Sequence, residues 1–173
     1  MLKTTANKIT VLRIVLIPFF LLLAYSGHRV GALIVYLTAC ISDFLDGYIA
    51  RHCNQITNFG KFMDPLADKM LVLASMCWFT ENGQMPGWIV AVVLFREFAV
   101  SGLRLIAVEQ SRVIAAAWSG KVKTAVTMVA LALMMVFPSE TLNWVCSILI
   151  LLTTIYSGAE YFVKNSDVFR DID

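Results

Sequence analysis

Apolar runs close to twenty residues long recur six times along this 173-residue chain, separated by short polar links. That repetition limits the fold more than any other feature. A helix needs roughly 20 consecutive apolar residues to cross the hydrocarbon of a bilayer, and in lipid only helices and closed barrels satisfy their own backbone polar groups. The runs cover residues 9–26, 30–52, 61–80, 88–109, 118–137 and 142–163. No linker, low-complexity segment or internal repeat divides them. The sequence therefore predicts an all-α integral membrane protein, with six transmembrane helices in a single polytopic domain over residues 1–173. The residues are 59% hydrophobic and only 15% charged, a balance unlike that of a soluble domain. The net charge of +2 is too small to suggest a nucleic-acid partner.

Local signals punctuate the runs. Pro18 is expected to kink the first helix. Gly27-His28-Arg29, the segment 81–87 and Pro138-Ser139-Glu140 read as turns, and residues 54–60 as a polar link. Asp64-Pro65 is expected in the first turn of the third helix, where proline is tolerated. Lys3 and Lys8 ahead of an apolar run ending in Ala24-Tyr25-Ser26 resemble a cleavable leader. Arg13 inside the run, and the equally apolar remainder, favour a retained first helix. Lys and Arg gather at the N-terminal flank (Lys3, Lys8), the second-to-third link (Arg51, Lys61), the fourth-to-fifth link (Arg112, with Lys121 and Lys123 just beyond) and the tail (Lys164, Arg170). By the positive-inside rule both termini are expected in the cytoplasm. Cys40, Cys53, Cys77 and Cys146 are too scattered for a disulfide framework or a zinc site. His28 and His52 lack a metal-ligand partner at useful spacing.

Four carboxylates stand out in this apolar setting. Asp43 and Asp46 share a helix face with Gly47 and Ala50, and Asp64 and Asp68 share a face of the next helix at i, i+4. A short link between the two helices would bring all four together. An acid at bilayer depth costs roughly 2.5–3.5 kcal/mol on insertion scales, and four facing one another would repel. A pair of divalent cations removes both penalties. An all-oxygen donor set favours Mg²⁺ or Mn²⁺ over Zn²⁺. Because the second helix runs inward and the third outward, the acids belong near the cytoplasmic headgroup plane, at the depth of Arg104, Lys121 and Lys123.

A carboxylate–metal centre beside a group of cations suits in-line phosphoryl transfer. Gly47 and Gly60 would let a phosphate approach the backbone closely, and Arg51 could neutralise it. The cluster Arg96, Arg104, Arg112, Lys121 and Lys123 suits a phosphorylated alcohol better than serine, choline or ethanolamine. Lys121 and Lys123 read equally as snorkelling anchors, and Glu97 as a structural partner of Arg96 or Arg104.

These residues carry a resemblance. The pattern Asp43-x2-Asp46-Gly47-x2-Ala50-Arg51-x8-Gly60-x3-Asp64-x3-Asp68 resembles the signature of the CDP-alcohol phosphotransferases. Asn7-Lys-Ile-Thr10-Val-Leu-Arg13, Arg96-Glu97-Phe-Ala-Val-Ser101-Gly102-Leu-Arg104 and Gly120-Lys121-Val-Lys123-Thr124 are similar to its bacterial phosphatidylglycerophosphate synthase branch. Ala6 stands where many members have proline, and Thr127 where some have glutamine. The resemblance implies the fold of that family, a homodimer, and transfer of a phosphatidyl group from CDP-diacylglycerol to sn-glycerol 3-phosphate with release of CMP. It implies that Asp43, Asp46, Asp64 and Asp68 hold the metals, with Asp68 as general base. It also implies that Asn7, Thr10, Gly47, Ala50, Arg51, Thr57 and Gly60 hold CDP-diacylglycerol. The expected location is the cell's cytoplasmic (inner) membrane, with the site facing the cytoplasm.

Three alternatives remain at this stage. Another acceptor, such as inositol phosphate, suits the same cations. A membrane metal-ion transporter would need ionisable groups spread across the membrane depth, whereas these cluster on one side. A soluble all-α enzyme using acid-rich helices and metal is at odds with the successive long apolar runs.

Overall fold

The computed structural model describes residues 5–52, 58–109, 114–115 and 117–169; side chains at 5–8, 43–52, 58–62, 64–65, 68, 109 and 168–169 lie outside that description. The described residues form six α-helices: α1 (Thr5–Tyr25), α2 (Arg29–His52), α3 (Asn58–Glu81), α4 (Gly87–Glu109), α5 (Trp118–Val136) and α6 (Glu140–Lys164). A 3₁₀ turn, Ser166–Phe169, follows. Helix α1 packs on α2 and α3, α5 on α2, α3 and α6, and α4 on α3 and α6.

Two helices start three or four residues earlier than the apolar runs suggest. Helix α1 begins at Thr5 rather than Ile9, and α3 at Asn58 rather than Lys61. The apolar run marks the part that avoids water, and the helix continues past it into polar residues. Pro65 consequently sits in the second turn of α3, a correction to its expected place in the first. It has no N–H to offer the carbonyl four residues back. Gly60 is helical rather than part of the link.

The interior is a set of helical seams. In α1 the buried positions are Thr10, Arg13, Ile17, Phe20 and Ala24, spaced alternately three and four apart. This spacing keeps one stripe facing its neighbours. In α2 they are Ala32, Tyr36 and Ala39, and the same spacing runs on to positions 43, 46 and 50. In α3, Leu71, Ser75 and Phe79 form the seam, which extends backwards in register to positions 68 and 64. Large side chains such as Phe20, Met76, Phe79, Leu131, Met134 and Ile150 fill the middle. Tyr36 donates its hydroxyl hydrogen bond to the Met128 carbonyl at 3.2 Å, joining α2 to α5.

The outer surface is apolar too. Phe95, Phe98, Trp118 and Val163 are each more than 70% exposed. Helices apolar on both faces belong in the core of a large protein or in lipid. Among the described residues α5 and α6 are long and apolar enough to cross a membrane, and α1 and α2 carry the shorter apolar stretches Ile9–Tyr25 and Arg29–Ser42. In α3 and α4 the apolar sequence is broken by Asp64, Asp68 and Lys69, and by Arg96, Glu97 and Arg104.

At one end of the bundle the turns are tied to neighbouring helices. Gly27 (φ 78°) and Gly83 (φ 67°) adopt the left-handed conformation that ends α1 and α3. His28 N–H reaches the Leu23 carbonyl and Gln84 N–H the Phe79 carbonyl, each at 2.9 Å, the pattern of a Schellman cap. Tyr25 donates its hydroxyl to Glu81. Arg29 donates to Gln84 Oε1 at 3.2 Å and to the Met134 carbonyl at 3.4 Å, and lies over the Trp78 ring.

Candidate active site

Polar residues of α3, α4 and α5 meet further along the bundle. Asp43 and Asp46 occupy the last three turns of α2, and Asp64 and Asp68 the second and third turns of α3. Their side chains lie outside the described residues, as do those of Asn7, Gly47, Ala50, Arg51 and Gly60. Thr57 and Arg112 lie outside altogether. Thr10 is described and fully buried in the α1 seam.

The described charges gather around Glu97. Lys123 of α5 donates to Glu97 Oε1 at 2.7 Å, and Arg96 Nη1 donates to the same oxygen at 3.1 Å. Lys69 Nζ, from α3, lies 3.4 Å from Glu97 Oε2 and donates to Ser101 Oγ at 2.8 Å. Arg96 Nη2 continues to Ser157 Oγ on α6 at 2.6 Å. One carboxylate thus joins α3, α4 and α5, and its neighbour Arg96 adds α6. Lys69, the residue after Asp68 in α3, is level with Glu97 and Lys123.

The helices explain why these residues meet. Small residues clear the space Arg96 occupies: a Cβ on Gly158 would stand 3.2 Å from Arg96 Cγ, and one on Gly120 3.6 Å from its Nη2. Lys123 continues the buried α5 face of Ser119, Thr127, Ala130 and Met134, and only 5% of it is exposed. An ammonium so enclosed requires an anionic partner, and Glu97 supplies it. Lys69, Glu97, Lys123, Thr124 and Thr127 line a small cleft closed by Val72, Leu73 and Val93.

The five cations expected to bind an acceptor divide. Arg96 and Lys123 share Glu97. Arg104, about two helical turns beyond Arg96, instead donates to the Tyr161 hydroxyl at 2.6 Å and lies over that ring. Glu97 therefore pairs with Arg96, Lys69 and Lys123, and not with Arg104. Lys121 is exposed, with its ammonium over the Trp118 ring. Two further residues belong to the polar end although neither was singled out for a role. Lys69 reads in sequence as an ordinary lysine beside Asp68. Arg13 is fully buried in the α1 seam, and its place inside an apolar run was the available signal.

An all-oxygen set of four aspartates on adjoining helix ends suits hard divalent cations. Of the possible softer ligands nearby, Cys40 packs with the apolar core. Among the described residues Cys40, Cys77 and Cys146 form no disulfide. Among the described residues no other group of His, Cys, Asp and Glu could hold a metal.

The chain is similar to known proteins over most of its length. Residues 3–156 match the family model for CDP-alcohol phosphatidyltransferase. The chain is 38% identical to the CDP-diacylglycerol–glycerol-3-phosphate 3-phosphatidyltransferase of Bacillus subtilis (strain 168), an alignment covering 95% of this chain and 96% of that one. It is 37% identical to a probable phosphatidylglycerophosphate synthase of Mycobacterium tuberculosis (strain ATCC 25618 / H37Rv), covering 96% and 82%. With the CDP-diacylglycerol–glycerol-3-phosphate 3-phosphatidyltransferase of Escherichia coli (strain K12) it shares 39% identity over 72% of each chain.

Proposed function

Because this chain belongs to the CDP-alcohol phosphatidyltransferase family, we propose that it transfers the phosphatidyl group of CDP-diacylglycerol to sn-glycerol 3-phosphate, forming phosphatidylglycerophosphate and CMP. The observation that carries the reading is the convergence of Lys69 of α3, Arg96 of α4 and Lys123 of α5 on Glu97, with Lys69 next in sequence to Asp68. The names of the relatives supply the acceptor.

Asp43, Asp46, Asp64 and Asp68 would hold the divalent ions, Mg²⁺ or Mn²⁺ and two per site. When bound, such ions neutralise the diphosphate of the donor and the charge growing on the departing CMP. Asn7, Thr10, Gly47, Ala50, Arg51, Thr57 and Gly60 hold the CDP moiety. Asp68 accepts the proton of the free primary hydroxyl of glycerol 3-phosphate. That oxygen bonds to the phosphorus bearing diacylglycerol, the P–O–P bond breaks, and CMP leaves with the bridging oxygen. Lys123 and Arg96 belong to the acceptor side, with Arg104, Arg112 and Lys121 as further cations along the route. The bundle is one polytopic domain in the cytoplasmic membrane, with six spans and both termini in the cytoplasm, and two copies form a homodimer.

The test is CMP release by the purified protein in detergent with CDP-diacylglycerol and a panel of alcohols. Turnover is expected with glycerol 3-phosphate, to be lost on chelation and restored by Mg²⁺. Asp68→Asn is expected to lower kcat by roughly 10²–10⁴-fold. Turnover with inositol phosphate alone would overturn the acceptor, and full activity of Asp68→Asn the base.

A further inference from the structure

We infer that Glu97 is a positioning residue for the phosphate of the acceptor, and that Lys69 is a phosphate contact alongside Lys123. This rests on the reading that the chain uses a phosphorylated alcohol, and it concerns how that alcohol is held. Three cations from three helices converge on one carboxylate. Among the described residues the cluster therefore keeps an excess of two positive charges beside a cleft. A phosphate monoester carries about −1.5 to −2 at pH 7, so a single acceptor phosphate balances it.

The three cations are not equivalent. Arg96 is spent on Ser157 and Glu97 and is walled in by Gly120 and Gly158. It braces the carboxylate. Lys123 is buried and makes the shorter contact, while the Lys69 side chain is 35% exposed, makes the longer one, and is steadied by Ser101. Both lysines line the cleft. Without Glu97 the two ammonium groups would repel and swing apart on flexible four-carbon stems. With it they stand on one carboxylate, ready to grip an anion without first being ordered. Lys69 follows Asp68 directly in α3 and Lys123 shares its carboxylate, which brings the acceptor's phosphate near the residue proposed to take the proton of its hydroxyl.

The experiment measures steady-state CMP release in detergent, varying glycerol 3-phosphate and CDP-diacylglycerol separately, together with inhibition by inorganic phosphate. Glu97→Gln is expected to raise the KM for glycerol 3-phosphate by roughly tenfold or more, to weaken phosphate inhibition in parallel, and to leave the KM for CDP-diacylglycerol unchanged. Glu97→Asp should recover part of the loss. Lys69→Gln should shift the same constant, and it keeps the test open if Glu97→Gln does not fold. An unchanged acceptor KM in Glu97→Gln, or in Lys69→Gln should the first variant not fold, overturns the inference. Equal losses for both substrates accompanied by a lower melting temperature also overturn it, because they mark a purely structural brace. If the unaltered protein releases no CMP with glycerol 3-phosphate, the acceptor reading itself has failed, a result distinct from either of these.

Discussion

Arg96 shows how closely a single charged side chain can be fitted inside an apolar bundle. Its guanidinium is pinned on one side by Glu97 and on the other by Ser157, so it cannot yield to a new atom at position 158. Replacing a helical glycine by alanine normally gains roughly 0.5–1 kcal/mol. At Gly158 the added Cβ would lie 3.2 Å from Arg96 Cγ, and overpacking of a fixed neighbour costs about 1–3 kcal/mol. Gly158→Ala should therefore lower the melting temperature in detergent and reduce turnover. Gly102→Ala, where no atom of another described residue crowds the added Cβ within 4 Å, should leave the melting temperature equal or higher. The sequence made Arg96 conspicuous by its depth in an apolar run. It could not show that small residues on two other helices make room for it, because that depends on how the helices are rotated.

At the scale of the helix, each inward stripe changes character along its length. In α1 it passes from Ala24 and Phe20 to Arg13 and Thr10, and in α5 from Met134 and Ala130 to Thr127 and Lys123. The existence of the helices was legible because apolar runs and turn residues punctuate the chain plainly. The first turns of α1 and α3 were not, because helix continues into polar sequence that carries no apolar signal. Lys69 was overlooked for a similar reason: beside Asp68 it looks like one more solvated charge, and only the register of α3 against α4 gives it Glu97. The seams also rely on small residues. Ala39 is fully buried in α2, and Ala39→Leu would add three carbons where neighbouring helices touch. A loss of about 1–3 kcal/mol is expected, read as a lower melting temperature with the KM for both substrates little changed.

For the whole molecule, the distinguishing property is an apolar exterior around an interior that is polar at one end. The exposed Phe95, Phe98, Trp118 and Val163 should keep the protein in the membrane fraction through high-salt washing, with release only by detergent. The proposed topology adds a directional expectation. In a cysteine-free background, Gly83→Cys should react with a membrane-impermeant thiol reagent applied to spheroplasts, and a cysteine at Asp173 should react only after lysis. The reverse pattern would invert the topology.

The stitched turns at Gly27 and Gly83, with Arg29 reaching to Gln84 and Met134, have a consequence for traffic. The charged cluster around Glu97 lies away from these turns, so on the proposed reading the lipid donor arrives sideways and the water-borne alcohol from the cytoplasmic end. The new lipid then departs into the same leaflet that delivered its precursor. No headgroup has to be ferried through hydrocarbon.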